Sequence, residues 1–98
     1  PLKGQLENAF QGIADAGKNA NLLQAATLIN NTLKLFSSED APVLIIISRE
    51  GTIVDYDKPT TIKRYLNFLK DQKSNRNTVD SYQLDNGGKI KELDLIKK

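Results

Sequence analysis

Val43-Leu44-Ile45-Ile46-Ile47 is an unbroken apolar run in which every residue but Leu44 is β-branched, set between Pro42 and the polar stretch Ser48-Arg49-Glu50. Branching at Cβ restricts χ1 and suits an extended backbone. Without polar alternation, such a strand must be covered on both faces or lie in the middle of its sheet. The remainder of the chain therefore has to provide neighbouring strands and an apolar layer. The run falls far short of the ~20 residues of a membrane-spanning helix, and no other apolar stretch is longer.

The rest of the sequence supplies these parts. The chain has 98 residues, 39% of them hydrophobic and 27% charged, which is the balance of one globular domain spanning 1–98. A domain of this size buries about 60–70% of the surface of its unfolded chain, enough for a single core. No cysteine is present to add a disulfide or a thiolate metal site, so packing must hold the fold. Leu6, Phe10, Ile13 and Ala14 recur at helical spacing, and Gly17 reads as the stop of that helix. Asn19 or Asn21 is placed to cap a second helix, whose apolar side runs from Leu22 through Ala25, Ala26, Ile29 and Leu33 to Phe36. Leu23, Leu28 and Leu35 widen that stripe, so cover from two sides is expected, and Asn30-Asn31-Thr32 is the place where this helix could break.

After the run at Val43, Ser48-Arg49-Glu50-Gly51-Thr52 predicts a hairpin turn and Thr52 to Tyr56 the returning strand, with Val54 and Tyr56 on one face and Ile53 and Asp55 on the other. Pro59 suits a first helical turn, with Asp57 or Thr60 as the cap. Ile62, Tyr65, Leu66 and Leu69 form the buried side of that helix. Phe68 lies off this stripe. Val79 to Leu84 and Lys89 to Ile96 read as a second hairpin around Asn86-Gly87-Gly88, with Leu93 and Leu95 on one face and Ile90 and Ile96 on the other. The expected fold is a two-layer α+β domain of order ααββαββ, its helices on a four-stranded antiparallel sheet made of two hairpins.

The composition limits the chemistry. There is no histidine, which removes the commonest general base and metal ligand, and no cysteine nucleophile. No catalytic residue, metal site or cofactor is assigned. Asp55-Tyr56-Asp57 is the candidate ligand-binding cluster, because two carboxylates two apart on a strand share a face and a buried one can act as acid or base. The plainer account has Asp55 in solvent, Asp57 capping the next helix and Tyr56 in the core with its hydroxyl at the rim. Gly12 and Gly17-Lys18 match the glycine spacing of a phosphate loop, but Asn19 replaces the required hydroxyl and no strand precedes it, so that motif is rejected. Lys58, Lys63, Arg64, Lys70, Lys73 and Arg76 gather on one helix and its exit, beside Tyr65 and Phe68. Their acidic neighbours Asp57 and Asp71 and a net charge of only +2 fit a solvated face better than a nucleic-acid surface. Ile53, Phe68, Ile90 and Ile96 are the candidate interface residues, apolar positions that the expected core leaves without cover.

The run from Thr52 to Leu66, Thr-Ile-Val-Asp-Tyr-Asp-Lys-Pro-Thr-Thr-Ile-Lys-Arg-Tyr-Leu, together with the order of elements, resembles the nuclear transport factor 2-like superfamily, which has a cystatin-like fold. The resemblance implies a helix closing a curved antiparallel sheet, and in members that bind small ligands or isomerise them, a pocket with an aspartate base and a tyrosine partner. Asp55 and Tyr56 match in residue type, while the single hairpin after the last helix departs from the longer strands of that superfamily. The leading functional expectation is a non-catalytic binding or protein-interaction domain, with a protein partner or a second copy on its sheet face. A ligand pocket at Asp55 and Tyr56 is the alternative, and nucleic-acid binding through the basic helix a second one. The chain begins at Pro1 and has no methionine, which leads us to expect a trimmed product: an exported, processed protein or a domain cut from a longer cytoplasmic one.

Overall fold

The structure, a computed structural model, describes all 98 residues. Helix α1 (Leu2–Lys18) and helix α2 (Leu22–Leu33) precede β1 (Pro42–Glu50), β2 (Ile53–Tyr56) and the two-residue β3 (Thr60–Thr61). Helix α3 (Ile62–Gln72), β4 (Asn77–Leu84) and β5 (Ile90–Lys97) complete the chain. The α+β class holds, but the sheet is five-stranded and mixed rather than four-stranded and antiparallel. Its order is β2-β1-β5-β4, with β3 paired to the start of β1. The two hairpins meet through a parallel pairing of β1 with β5, Val43 opposite Leu93 and Ile45 opposite Leu95. That junction puts the apolar run at the centre of the sheet, and the central position explains why the run lacks alternation.

The helices pack on one side of the sheet. Leu6, Phe10 and Ile13 of α1 and Tyr65, Leu66 and Leu69 of α3 meet Val43, Val79, Leu93 and Leu95 in one core. Fully burying each such side chain contributes roughly 1.5–3 kcal/mol. Gly17 does not stop α1. It lies inside the helix where α1 crosses α3, and a Cβ there would sit 2.1 Å from the Lys70 carbonyl oxygen. Asn21 caps α2, its Oδ1 accepting from the Gln24 amide at 3.1 Å. This helix buries only Ala25, Ile29 and Thr32 and leaves Leu22 and Leu23 exposed, so the expected two-sided cover is absent. Phe36 lies beyond the helix end and docks beside Ile90, where the Ser37 amide donates to the Ile90 carbonyl at 2.8 Å.

Three irregularities in the ladders decide which side chains face the helices. Register shifts leave Ile47 of β1, Asp80 of β4 and Lys91 of β5 without a cross-strand partner. A bulge moves the residues beyond it to the opposite face from the one that simple alternation assigns. Ile90 therefore joins Leu93 and Leu95 in the core, fully buried, instead of sharing the face of Ile96. The turns follow their glycines: Gly51 takes φ +61° between β1 and β2, and Gly88 takes φ +84° in the loop between β4 and β5. That second loop runs over the five residues Asp85 to Lys89 and is closed by Asp85, whose Oδ1 accepts from the amides of Gly87 and Lys89 at 2.9 Å each.

Candidate interaction surface

The helix layer stops short of the far end of the sheet. On β1, Val43 is fully buried under α3 while Ile47, four residues on, is 62% exposed. Ile45 and Ile47 emerge on the helix side, and so do Ile53, Asp55 and Asp57, which alternate with Val54 and Tyr56. Phe68 projects from α3 toward this uncovered corner and is 50% exposed. Its ring sits 6.5 Å from that of Tyr65, so the buried tyrosine anchors one side of it.

Phe68 is the wall shared by three open depressions. One, of about 330 Å³, runs between Ile45, Asp57, Lys58, Thr60, Arg64 and Phe68. A second, of about 240 Å³, lies on its other side and is bounded by Ile45, Ile47, Asp57, Arg76 and Lys97. The third, of about 650 Å³, follows the polar side of α3 past Asp40, Arg64 and Asp71. The first two form one shallow saddle with an apolar floor and charged ends. Both depressions are open to solvent, and neither is an enclosed cavity.

The predicted cluster does not converge. Asp55 and Tyr56 leave β2 on opposite faces of the sheet. Asp55 is exposed and accepts from the Ser48 hydroxyl at 2.9 Å, and Tyr56 pairs across the strand with Ile46. Neither residue lines any of the depressions. Asp57 lines two of them. It does not cap α3: its Oδ1 accepts from the Lys58 amide at 2.8 Å, and the cap is Thr61, whose hydroxyl accepts from the Arg64 amide at 3.3 Å. Of the interface candidates, Ile53 at 67% exposure and Phe68 lie on the helix side, Ile96 is half-buried on the opposite face, and Ile90 belongs to the core. The alternation past the run of β-branched residues foreshadows Ile53. Arg76 and Lys97 carry no such sign, because only the fold brings the exit of α3 beside the end of β5.

The opposite face carries different chemistry. Leu44, Ile46, Val54, Tyr56 and Ile96 share it, with Ile46 buried between its cross-strand neighbours Tyr56 and Ile96. Toward β4 it turns acidic. Burial pushes the Asp94 carboxyl above its usual range, with the charges of Glu92 and Asp80 adding to the rise and a hydrogen bond with Ser81 opposing it. Arg49 reaches across to Asp80 at 3.0 Å. In the core, burial likewise raises the Tyr65 hydroxyl, against a lowering hydrogen bond from Asn77 Nδ2 at 3.2 Å. No group of three or more potential metal ligands is assembled, and no helix is long and apolar enough to cross a membrane.

No protein-family model, curated protein or solved structure matches the chain.

Proposed function

We propose that the chain is a small non-catalytic protein-interaction domain whose binding surface is the uncovered corner of Ile45, Ile47, Ile53 and Phe68. One observation carries this reading: Ile47 of β1 and Phe68 of α3, both largely exposed, border one open depression where the helix layer ends, with half-buried Ile45 in its floor and Ile53 exposed further along the same face. Clustered apolar exposure is costly to keep in water and marks a surface that meets a partner. The ligand-pocket alternative of the nuclear transport factor 2-like kind draws less support, because Asp55 and Tyr56 diverge and border no concavity. A photo-crosslinking side chain at position 47 or 68 is expected to yield discrete protein adducts in cells. The same group at position 23, exposed on α2, is expected to yield none. Equal labelling from all three positions, or no adduct from any, overturns the proposal.

Self-association through the open sheet face is the second reading, favoured by the stripe of Leu44, Val54, Tyr56 and Ile96 that no helix covers. Light scattering at high micromolar concentration decides it. A dimer that Tyr56→Asp converts to monomer supports this reading, and a monomeric wild type ends it.

A further inference from the structure

The charges around the corner are out of balance. Lys58 and Arg64 border one end of the saddle, and Arg76 and Lys97 the other. None of these four cations is within salt-bridge distance of a carboxylate, since the ion pairs of the molecule are Arg49–Asp80, Lys63–Glu39 and Lys70–Asp71. Asp57 is the one acid in the saddle, so the local sum is 4 − 1, or +3, against +2 for the whole chain. The remainder of the molecule is then −1, so the side chains lining the saddle carry the chain's positive excess, with Asp40 and Asp71 lying outside it along the polar side of α3.

We propose that this corner docks an acidic protein segment, with a bulky apolar side chain of that segment seated on Ile45, Ile47 and Phe68 and its flanking carboxylates on Arg64 and Arg76. The inference rests on the interaction-domain reading and adds the chemistry of the partner. Guanidinium groups suit carboxylates because they can donate two parallel hydrogen bonds. Both arginines are exposed and border an apolar floor, the arrangement of a charged rim around an anchoring centre. A nucleic-acid strand is the other polyanion to weigh. It binds through successive aromatic platforms, whereas here one aromatic stands beside two isoleucines and an aspartate.

The test is selection of a random displayed peptide library on the wild-type chain. The selected peptides are then measured against Phe68→Ala and Arg64→Glu/Arg76→Glu, all at exposed positions, with circular dichroism reporting the fold. The expected sequences have Asp and Glu flanking Leu or Phe. Their affinity is expected to fall about tenfold or more in each variant and to weaken steadily with added salt. Neutral or basic peptides that need Phe68 but ignore the charge reversal overturn the acidic partner and leave the interaction domain standing. Peptides indifferent to both variants, or no selected peptide, overturn the acidic partner and the docking corner together. Displacement of the peptides by a single-stranded oligonucleotide that binds more tightly overturns it in favour of nucleic acid. Loss of peptide binding to a dimer abolished by Phe68→Ala overturns it in favour of a second copy.

Discussion

The two ends of β1 lie in the same strand and in opposite surroundings. Val43 runs under α3 and pairs with Leu93, and Ile47 and the hairpin beyond it extend past the helices, with half-buried Ile45, paired with Leu95, at the boundary between them. The molecule is 42 Å long but only 24 Å in its shortest dimension, in keeping with that projecting end. Composition does not separate the two halves, since isoleucine and valine occur in both. Helix cover does. What stabilises the fold and what the proposed docking corner exposes are thus the same kind of residue, distinguished by the cover that α3 provides.

The sharpest way to break this difference is to lift the cover itself. Gly17→Ala places a Cβ against the Lys70 backbone, an atom that cannot swing aside, so α1 and α3 must separate. A loss of about 3 kcal/mol or more is expected, at the upper end of overpacking costs. Thermal unfolding followed by circular dichroism measures it, and an unchanged melting temperature contradicts the close crossing. Next comes Leu93→Ala, which removes a fully buried side chain opposite Val43 and is expected to cost about 2–5 kcal/mol in denaturant unfolding. A loss below 1 kcal/mol would mean that the centre of the sheet is not the covered half, by the same scale.

The uncovered face has its own signature, which is electrostatic. The folded chain holds the Asp94 proton more tightly than the unfolded chain, because burial and the charges of Glu92 and Asp80 disfavour ionisation. This group therefore favours folding fully below its unfolded pKa of about 3.8, and the contribution is lost as pH rises through the raised folded value. At neutral pH, Asp94→Asn relieves the repulsion and is expected to raise stability by about 0.5 kcal/mol, the scale of a surface charge interaction. The gain should vanish in melts below pH 3.8, where wild-type Asp94 is itself protonated. A variant less stable than wild type at neutral pH, or one with an equal gain at both, removes this account.

Local pattern made part of this legible. The stripes of α1 and α3, the strand at Val43 and the turn at Gly51 follow from spacing and from residues that permit a positive φ. The parallel pairing of β1 with β5 does not, because nothing in either segment names a partner that far along the chain. Bulges are equally silent: the unpaired Lys91 puts Ile90 in the core, where alternation sends it to the other face. Gly17 fits a helix stop and a close crossing alike, and only the position of Lys70 separates them. Within the corner, Ile53 and Phe68 were visible as apolar residues off the predicted core. The cations at its ends come from the β2–β3 connection, α3, its exit and the last strand, and their meeting is a property of the tertiary fold.

The smallest expected effect is also the one that tests the comparison most directly. Ile47→Ala deletes the same kind of side chain from the same strand as the buried residues, but from a position more than half exposed and opposite no cross-strand partner. Little apolar surface returns to water and no closed cavity forms, so the change in unfolding free energy should stay within about 0.5 kcal/mol. Peptides selected on the wild type should nonetheless bind Ile47→Ala more weakly, since the floor of the saddle has lost its outer half. Stability and binding would then respond in opposite order at the two ends of β1. A cost of 2 kcal/mol or more at position 47, in the range of core truncations, would instead make that end part of the core and take away the docking surface.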